Sequence, residues 1–161
     1  MYDVVTFGSA SWDVFLKSEK ILAVKSKKFI SEKGICFNLG SKIDIDEFFS
    51  FSGGGGTNTA ATFSLQGLKT CFCGLTGKDL AGDQVLNDLK KLGVDVLGLK
   101  TAQKATNYSV ILKLESEDRT ILVYRGASEC LSKKNIPWDK IEKAKWFYLA
   151  PLSGQSAKIT K

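Results

Sequence analysis

Short apolar runs and helical periods alternate along this chain. Val4 to Phe7 is a mainly apolar run closed by Gly8-Ser9, and it predicts a buried first strand. From Ile21 to Phe51 the pattern changes. Ile35 to Leu39 and Lys42 to Asp46 alternate apolar and polar residues around Gly40-Ser41, which predicts a hairpin with one wet face, set apart from the core. Small residues follow Ser52-Gly53-Gly54-Gly55-Gly56-Thr57-Asn58 and predict a helix that runs to about Gln66, stops at Gly67 and lies close to a sheet. Thr70 to Leu75 reads as a buried strand. Leu80 to Leu92 carries Val85, Leu86, Leu89 and Leu92 at helical spacing and ends at Gly93.

The second half repeats the alternation. Val94 to Leu99 predicts a strand. Tyr108 to Leu114 and Thr120 to Tyr124 flank a polar turn at 115–119 and predict a second hairpin. Lys145 to Leu149 reads as another buried strand, and 153–161 as the first turns of a helix. Strand and helix in alternation predict an α/β protein with a parallel sheet and flanking helices. The two hairpins are insertions that can join as a separate small sheet.

Composition narrows the function classes. At 161 residues, with 43% hydrophobic and 25% charged residues, the chain can build one domain with a real core. The net charge of +6 comes from scattered lysines, with doublets only at Lys27-Lys28, Lys90-Lys91 and Lys133-Lys134, so no nucleic-acid partner is expected. No apolar run approaches the roughly 20 residues that span a bilayer, so no membrane partner is expected. Met1 to Val5 lacks the basic and apolar regions of a secretion signal, and a cytoplasmic location is the expectation. The chain has no histidine, which removes His-ligated metals, Ser/His/Asp triads and Cys/His dyads together. Cys71 and Cys73 share one strand face and, with Cys36 and Cys130, read as reduced packing residues.

One motif, the glycine tract, invites phosphate chemistry on its own residues. In the glycine tract, a Walker loop needs Lys and Ser/Thr after the last glycine, and Thr57-Asn58 stands there instead. On composition alone the tract reads equally as a flexible hinge between two sheets. Ala81-Gly82-Asp83 opens a helix, and its Asp83 favours the helix amino terminus rather than acting as a base.

From Gly53 to Gly77 the chain resembles the first signature of the ribokinase-like (PfkB) carbohydrate kinases. The glycine cluster, Asn58, Ala60, Gly67 and Gly77 stand at the signature's spacing. Thr76-Gly77-Lys78-Asp79, Ala81-Gly82 and Gly93-Val94-Asp95 extend the match, and Phe7 to Asp13 resembles the family's first strand and turn. The resemblance implies a ribokinase-like fold whose lid comprises about 17–49 and 106–125, with 1–161 as its amino-terminal part. It implies that Asp13 binds sugar hydroxyls, the alternative for Asp13 being a cap. Ser11 stands where the family often has Asn. Asn58 matches a substrate-binding Asn, a role compatible with capping the helix that begins there. Gly53 and Gly54 match the diglycine where lid and core meet. Tyr108, Tyr124 and Arg125 fall on the lid, where contact with sugar or partner and cross-strand packing or surface exposure remain alternatives.

The implied function is transfer of the γ-phosphoryl of ATP to a primary hydroxyl of a sugar or nucleoside. ATP and Mg²⁺ are expected for a full-length enzyme, and neither for this chain alone. No residue up to Lys161 is a credible catalytic base, so the chain is expected to carry the substrate side and to be inactive alone. A homodimer through the lid stays open. The rival class is a non-enzymatic sugar-binding or dimerising module.

Overall fold

The computed structural model describes residues 1–114 and 118–160. In chain order its first strands are β1 (Val4–Phe7), β2 (Ser11–Lys17), β3 (Ala23–Lys25), β4 (Lys33–Ile35) and β5 (Glu47–Gly53). Helix α1 (Gly55–Leu65), β6 (Thr70–Cys73), β7 (Thr76–Gly77) and α2 (Leu80–Lys91) follow. Then come β8 (Asp95–Val96), β9 (Lys100–Thr101), β10 (Asn107–Lys113), β11 (Thr120–Tyr124), α3 (Trp138–Ile141) and β12 (Trp146–Leu149). The chain divides into two compact units, one of residues 1–12, 51–108 and 123–161, the other of residues 13–50 and 109–122.

The first unit holds a parallel sheet of order β12-β1-β6-β8. Val4 to Phe7 pair with Trp146 to Leu149 on one side and with Thr70 to Cys73 on the other. All four residues of β1 and all four of β6 are buried, as parallel strands covered on both faces must be. On one face Val5, Phe7, Cys71 and Cys73 pack with Ala127, Leu131, Ile136 and Ile141. On the other Phe72 packs with Ala60 of α1, with Val85, Leu86 and Leu89 of α2, and with Val94. Both helices end as their sequences predict, at Gly67 (φ +85°) and Gly93 (φ +77°). Burial pushes the thiol of Cys71 up to about 11 and that of Cys73 to about 12.

Two expectations for this unit need correction. The strand predicted over Val94 to Leu99 shrinks to β8, because the chain turns at Gly98 (φ +64°) and Thr101 and Lys100 then pair with β7. The strand predicted over Lys145 to Leu149 exists as β12, the edge of the sheet, and all four of its residues are exposed, so its apolar run does not mark burial, while the exposure also expected of Trp146 to Leu149 is observed. The segment 153–161 forms a 3₁₀ turn over Gly154–Thr160, and Lys161 lies outside the described residues.

The second unit contains most of a sheet of order β11-β10-β2-β5, together with the β3–β4 pair. Ile21, Leu112 and Leu114 form its small core with Leu16, Ile35, Ile43 and Val110. The hairpin predicted over 35–46 is absent. Ile35 pairs instead with Ala23 in the antiparallel β3–β4 ladder. The turn at Gly40 forms, with the Ser41 N–H on the Asn38 carbonyl at 3.2 Å. Its second arm, however, is bonded to residues 17–19. The Asp46 N–H donates to the Lys17 carbonyl (3.0 Å), the Ser18 hydroxyl to the Asp44 carbonyl (2.7 Å) and the Glu19 N–H to the Asp46 carboxylate (2.9 Å). Those partners leave the segment no ladder of its own. Of the polar turn predicted at 115–119, residues 115–117 lie outside the described residues.

Candidate functional site

The glycine tract is built around Ser9. Gly54, the residue before α1, sits at φ 112° and ψ 144°, and a Cβ there would lie 2.4 Å from the Ser9 carbonyl oxygen. Only glycine accepts both that dihedral and that approach. The first N–H groups of α1 then turn onto Ser9. Gly55 donates to its hydroxyl oxygen (3.0 Å), and Gly56 and Thr57 donate to its carbonyl (3.1 and 3.4 Å). Gly56 meets Gly8 backbone to backbone, where an added Cβ would come within 2.8 Å. The Thr6 hydroxyl bonds the Gly56 carbonyl at 3.0 Å, and the Thr57 hydroxyl bonds the Gly53 and Gly54 carbonyls at 2.6 and 2.9 Å.

Asn58 is the first exposed side chain of this tract. It lies inside the first turn, so it does not cap the helix, and the capping alternative is corrected. Gly54 holds the cap position without a side chain, and the Asn58 N–H bonds the Gly54 carbonyl at 2.9 Å. Gly53 ends β5, and Ser11, which is buried, opens β2, the strand next to β5 in the sheet. The first unit therefore contains Ser11, Gly53, Gly54 and Asn58. Asp13 is half-buried on β2, on the face it shares with Ser11 by the period of two, and falls in the second unit. Tyr108 opens β10 after Asn107, Tyr124 ends β11, and both are exposed, as is Arg125.

The second long helix begins differently. Asp79 caps α2, taking the Gly82 N–H at 2.8 Å, and also takes the Thr106 N–H and hydroxyl at 2.8 and 2.7 Å. Burial raises the Asp79 carboxyl, but these hydrogen bonds and the Lys100 charge outweigh it and hold it below the usual carboxylate range. Asp83 in the first turn pairs with Lys100, in keeping with a structural role. Beside this network the Asn107 amide oxygen accepts the Gly126 and Ser128 N–H groups at 3.0 and 3.1 Å.

Sequence reasoning did not single out Ser9, Asp79 or Asn107 as organisers. Asp79 was findable, since an Asp directly before an apolar helical period is a cap signal. Ser9 and Asn107 act over 46 and 19 positions or more, and no local pattern marks them.

The arrangement limits what these helix ends can hold. A phosphate is drawn to free N–H groups at a helix start. Ser9 occupies the first three at α1, and two carboxylates stand at the start of α2. Neither end fits the phosphates of ATP. Among the described residues no cluster of three or more Cys, Asp or Glu could hold a metal ion, and no helix is long and apolar enough to cross a membrane.

The sequence model of the pfkB family carbohydrate kinases matches residues 1–159. A probable fructokinase from Arabidopsis thaliana is 33% identical over 110 residues, 66% of this chain and 34% of that protein. A putative sugar kinase from Pyrococcus horikoshii is 27% identical over 103 residues, 63% of this chain and 33% of that protein. Arabidopsis thaliana ribokinase, solved with ribose and ATP, superposes with a TM-score of 0.73 at 21% identity, over 99% of this chain and 50% of its own. That last likeness is one of fold. The chain spans about a third of the length of these two curated relatives.

Proposed function

The chain belongs to the pfkB family of carbohydrate kinases, and we propose that it carries the sugar-recognising side of an enzyme that phosphorylates a primary hydroxyl of a sugar or nucleoside from ATP. The observation that carries this reading is the use of the glycine tract. Its N–H groups are consumed by Ser9. What the tract offers outward is the Asn58 amide, which can donate to one hydroxyl and accept from another. The Asp13 carboxylate accepts from two adjacent hydroxyls, and Ser11 adds a third polar group on the same strand face. Gly53 and Gly54 are the dihedral pivot, and the segments about 17–49 and 106–125 are the lid.

The chemistry assigned to this chain is binding and orientation of the acceptor sugar. Holding the reacting hydroxyl in place is a large part of phosphoryl-transfer catalysis. The phosphates of ATP, with their Mg²⁺, are assigned to residues other than the two helix starts above, and the 161 residues alone should not turn over ATP. Titration of ribose, fructose and adenosine into the ¹⁵N-labelled chain tests the assignment. One of them should shift the amide signals of Asp13 and Asn58 together, and ATP should leave both in place. Shifts at neither residue with any acceptor would contradict it.

A second reading, a dimerising module, draws support from the sheet that contains β5 and β11. Phe48, Phe49 and Phe51 of β5 are exposed, as is every residue of β11, the edge strand of that sheet. Such apolar surface favours a partner. A homodimer through the lid is compatible with the kinase reading.

A further inference from the structure

Lysines that are scattered along the chain are gathered by the second unit into one loop. In the antiparallel ladder of β3 and β4, Lys25 stands directly opposite Lys33. Like charges at that cross-strand position repel. The loop between them adds Lys27 and Lys28, so 25–33 holds four lysines against one acid, Glu32. Nearby Lys17 and Lys20 are taken up by Glu47 and Asp44. Lys25, Lys27 and Lys28 have no acidic partner among the described residues. Lys25, Lys27 and Lys33 line a concavity of about 570 Å³ together with Ser26, Ser31 and Glu32. The loop itself is well bonded. The Ser26 N–H donates to the Glu32 carbonyl (2.9 Å), the Phe29 N–H to the Ser26 carbonyl (3.2 Å) and the Glu32 N–H to the Phe29 carbonyl (2.9 Å). Phe29 turns back over Gly34, where an added Cβ would meet its ring. Its neighbour Ile30 is left wholly exposed in the loop (108%).

We propose that this loop is a peripheral contact with an anionic phospholipid surface. Lys25, Lys27 and Lys28 meet the headgroups, a headgroup phosphate sits in the concavity, and Ile30 enters the boundary of the acyl chains. Charge complementarity selects an anionic surface. The bare aliphatic side chain selects a bilayer over a nucleic acid, which is held through arginines and stacking aromatics. The loop has no arginine, and its one ring, Phe29, is turned onto Gly34. The expectation against a membrane partner rests on the want of a spanning run, and a contact of this kind spans nothing. The proposal uses no residue of the candidate sugar site and stands apart from the kinase reading.

The test sediments the 161-residue chain with vesicles of phosphatidylcholine alone and of equal parts phosphatidylcholine and phosphatidylserine. Binding to the mixed vesicles alone is expected, and it should weaken as salt is raised. The double variant Lys27→Glu/Lys28→Glu should weaken it at least about tenfold, and Ile30→Ser about fivefold. All three side chains are exposed, so the circular dichroism of the free chain should not change. Lys133→Glu/Lys134→Glu makes the same change of charge at an exposed doublet of the first unit and should leave binding nearly unchanged. Absence of binding to the mixed vesicles would overturn the proposal. So would equal losses from the two doublets, the result of a diffuse positive field. Binding indifferent to Ile30→Ser would also overturn it, since that marks a contact for any polyanion.

Discussion

Helices α1 and α2 start on the same side of one story and solve it in opposite ways. At α1 a backbone carbonyl and a hydroxyl of Ser9 take the first N–H groups, glycines permit the approach, and no charge is present. At α2 a carboxylate does the work and ties in Thr106. A helix start closed by backbone leaves its exposed polar side chain, Asn58, free of any capping duty. A helix start closed by Asp79 is fully committed to holding the fold. On the proposed reading, the glycine-rich end is the one that meets a ligand, through the Asn58 side chain rather than through the helix dipole.

The largest expected effect breaks the α1 arrangement. Gly56→Ala puts a methyl 2.8 Å from the Gly8 backbone. It should cost about 3 kcal/mol and lower the melting temperature by about 10 °C, read by calorimetry. Next, Asp79→Ala removes the α2 cap and two bonds to Thr106, and should cost about 2 kcal/mol in denaturant melts. The pH dependence carries a sign. The folded Asp79 carboxyl lies below its unfolded value, so its contribution is complete above the unfolded value of about 3.9 and is lost as pH falls through the folded one. Asp79→Asn, which can still cap but cannot titrate, should flatten stability over that acid range relative to the wild type. Ser9→Ala should cost about 1 kcal/mol, since only the Gly55 bond is lost and both carbonyl bonds remain. Asn58→Ala should change stability by less than about 0.5 kcal/mol, as its proposed binding role requires.

The same contrast explains what the sequence revealed. β1 and β12 read alike as apolar runs, and both are strands. Their burial differs because β1 lies between two strands and β12 lies next to one, a fact of sheet order that no local pattern carries. The glycine and cap signals at Gly67, Gly93 and the Leu80 period are local, and they marked helix boundaries to within a residue or two. The 35–46 segment failed for the opposite reason. Its alternation was genuine, but hydrogen bonds to residues 17–19 decided its conformation. At the candidate site, the resemblance to the pfkB signature and first strand pointed to Ser11, Asp13, Gly53, Gly54 and Asn58. Ser9, which organises three of the four glycines, was hidden because its partners lie more than 40 positions away.

The central claim is that Asp13 reads the hydroxyls of the acceptor sugar. The most direct measurement is the calorimetric affinity of the chain for the acceptor found by titration, wild type against Asp13→Ala. Loss of a hydrogen bond to a charged group costs about 1.5 to 3 kcal/mol, so acceptor affinity should fall by about tenfold to a hundredfold. Equal affinity for the acceptor in the two proteins would contradict the claim.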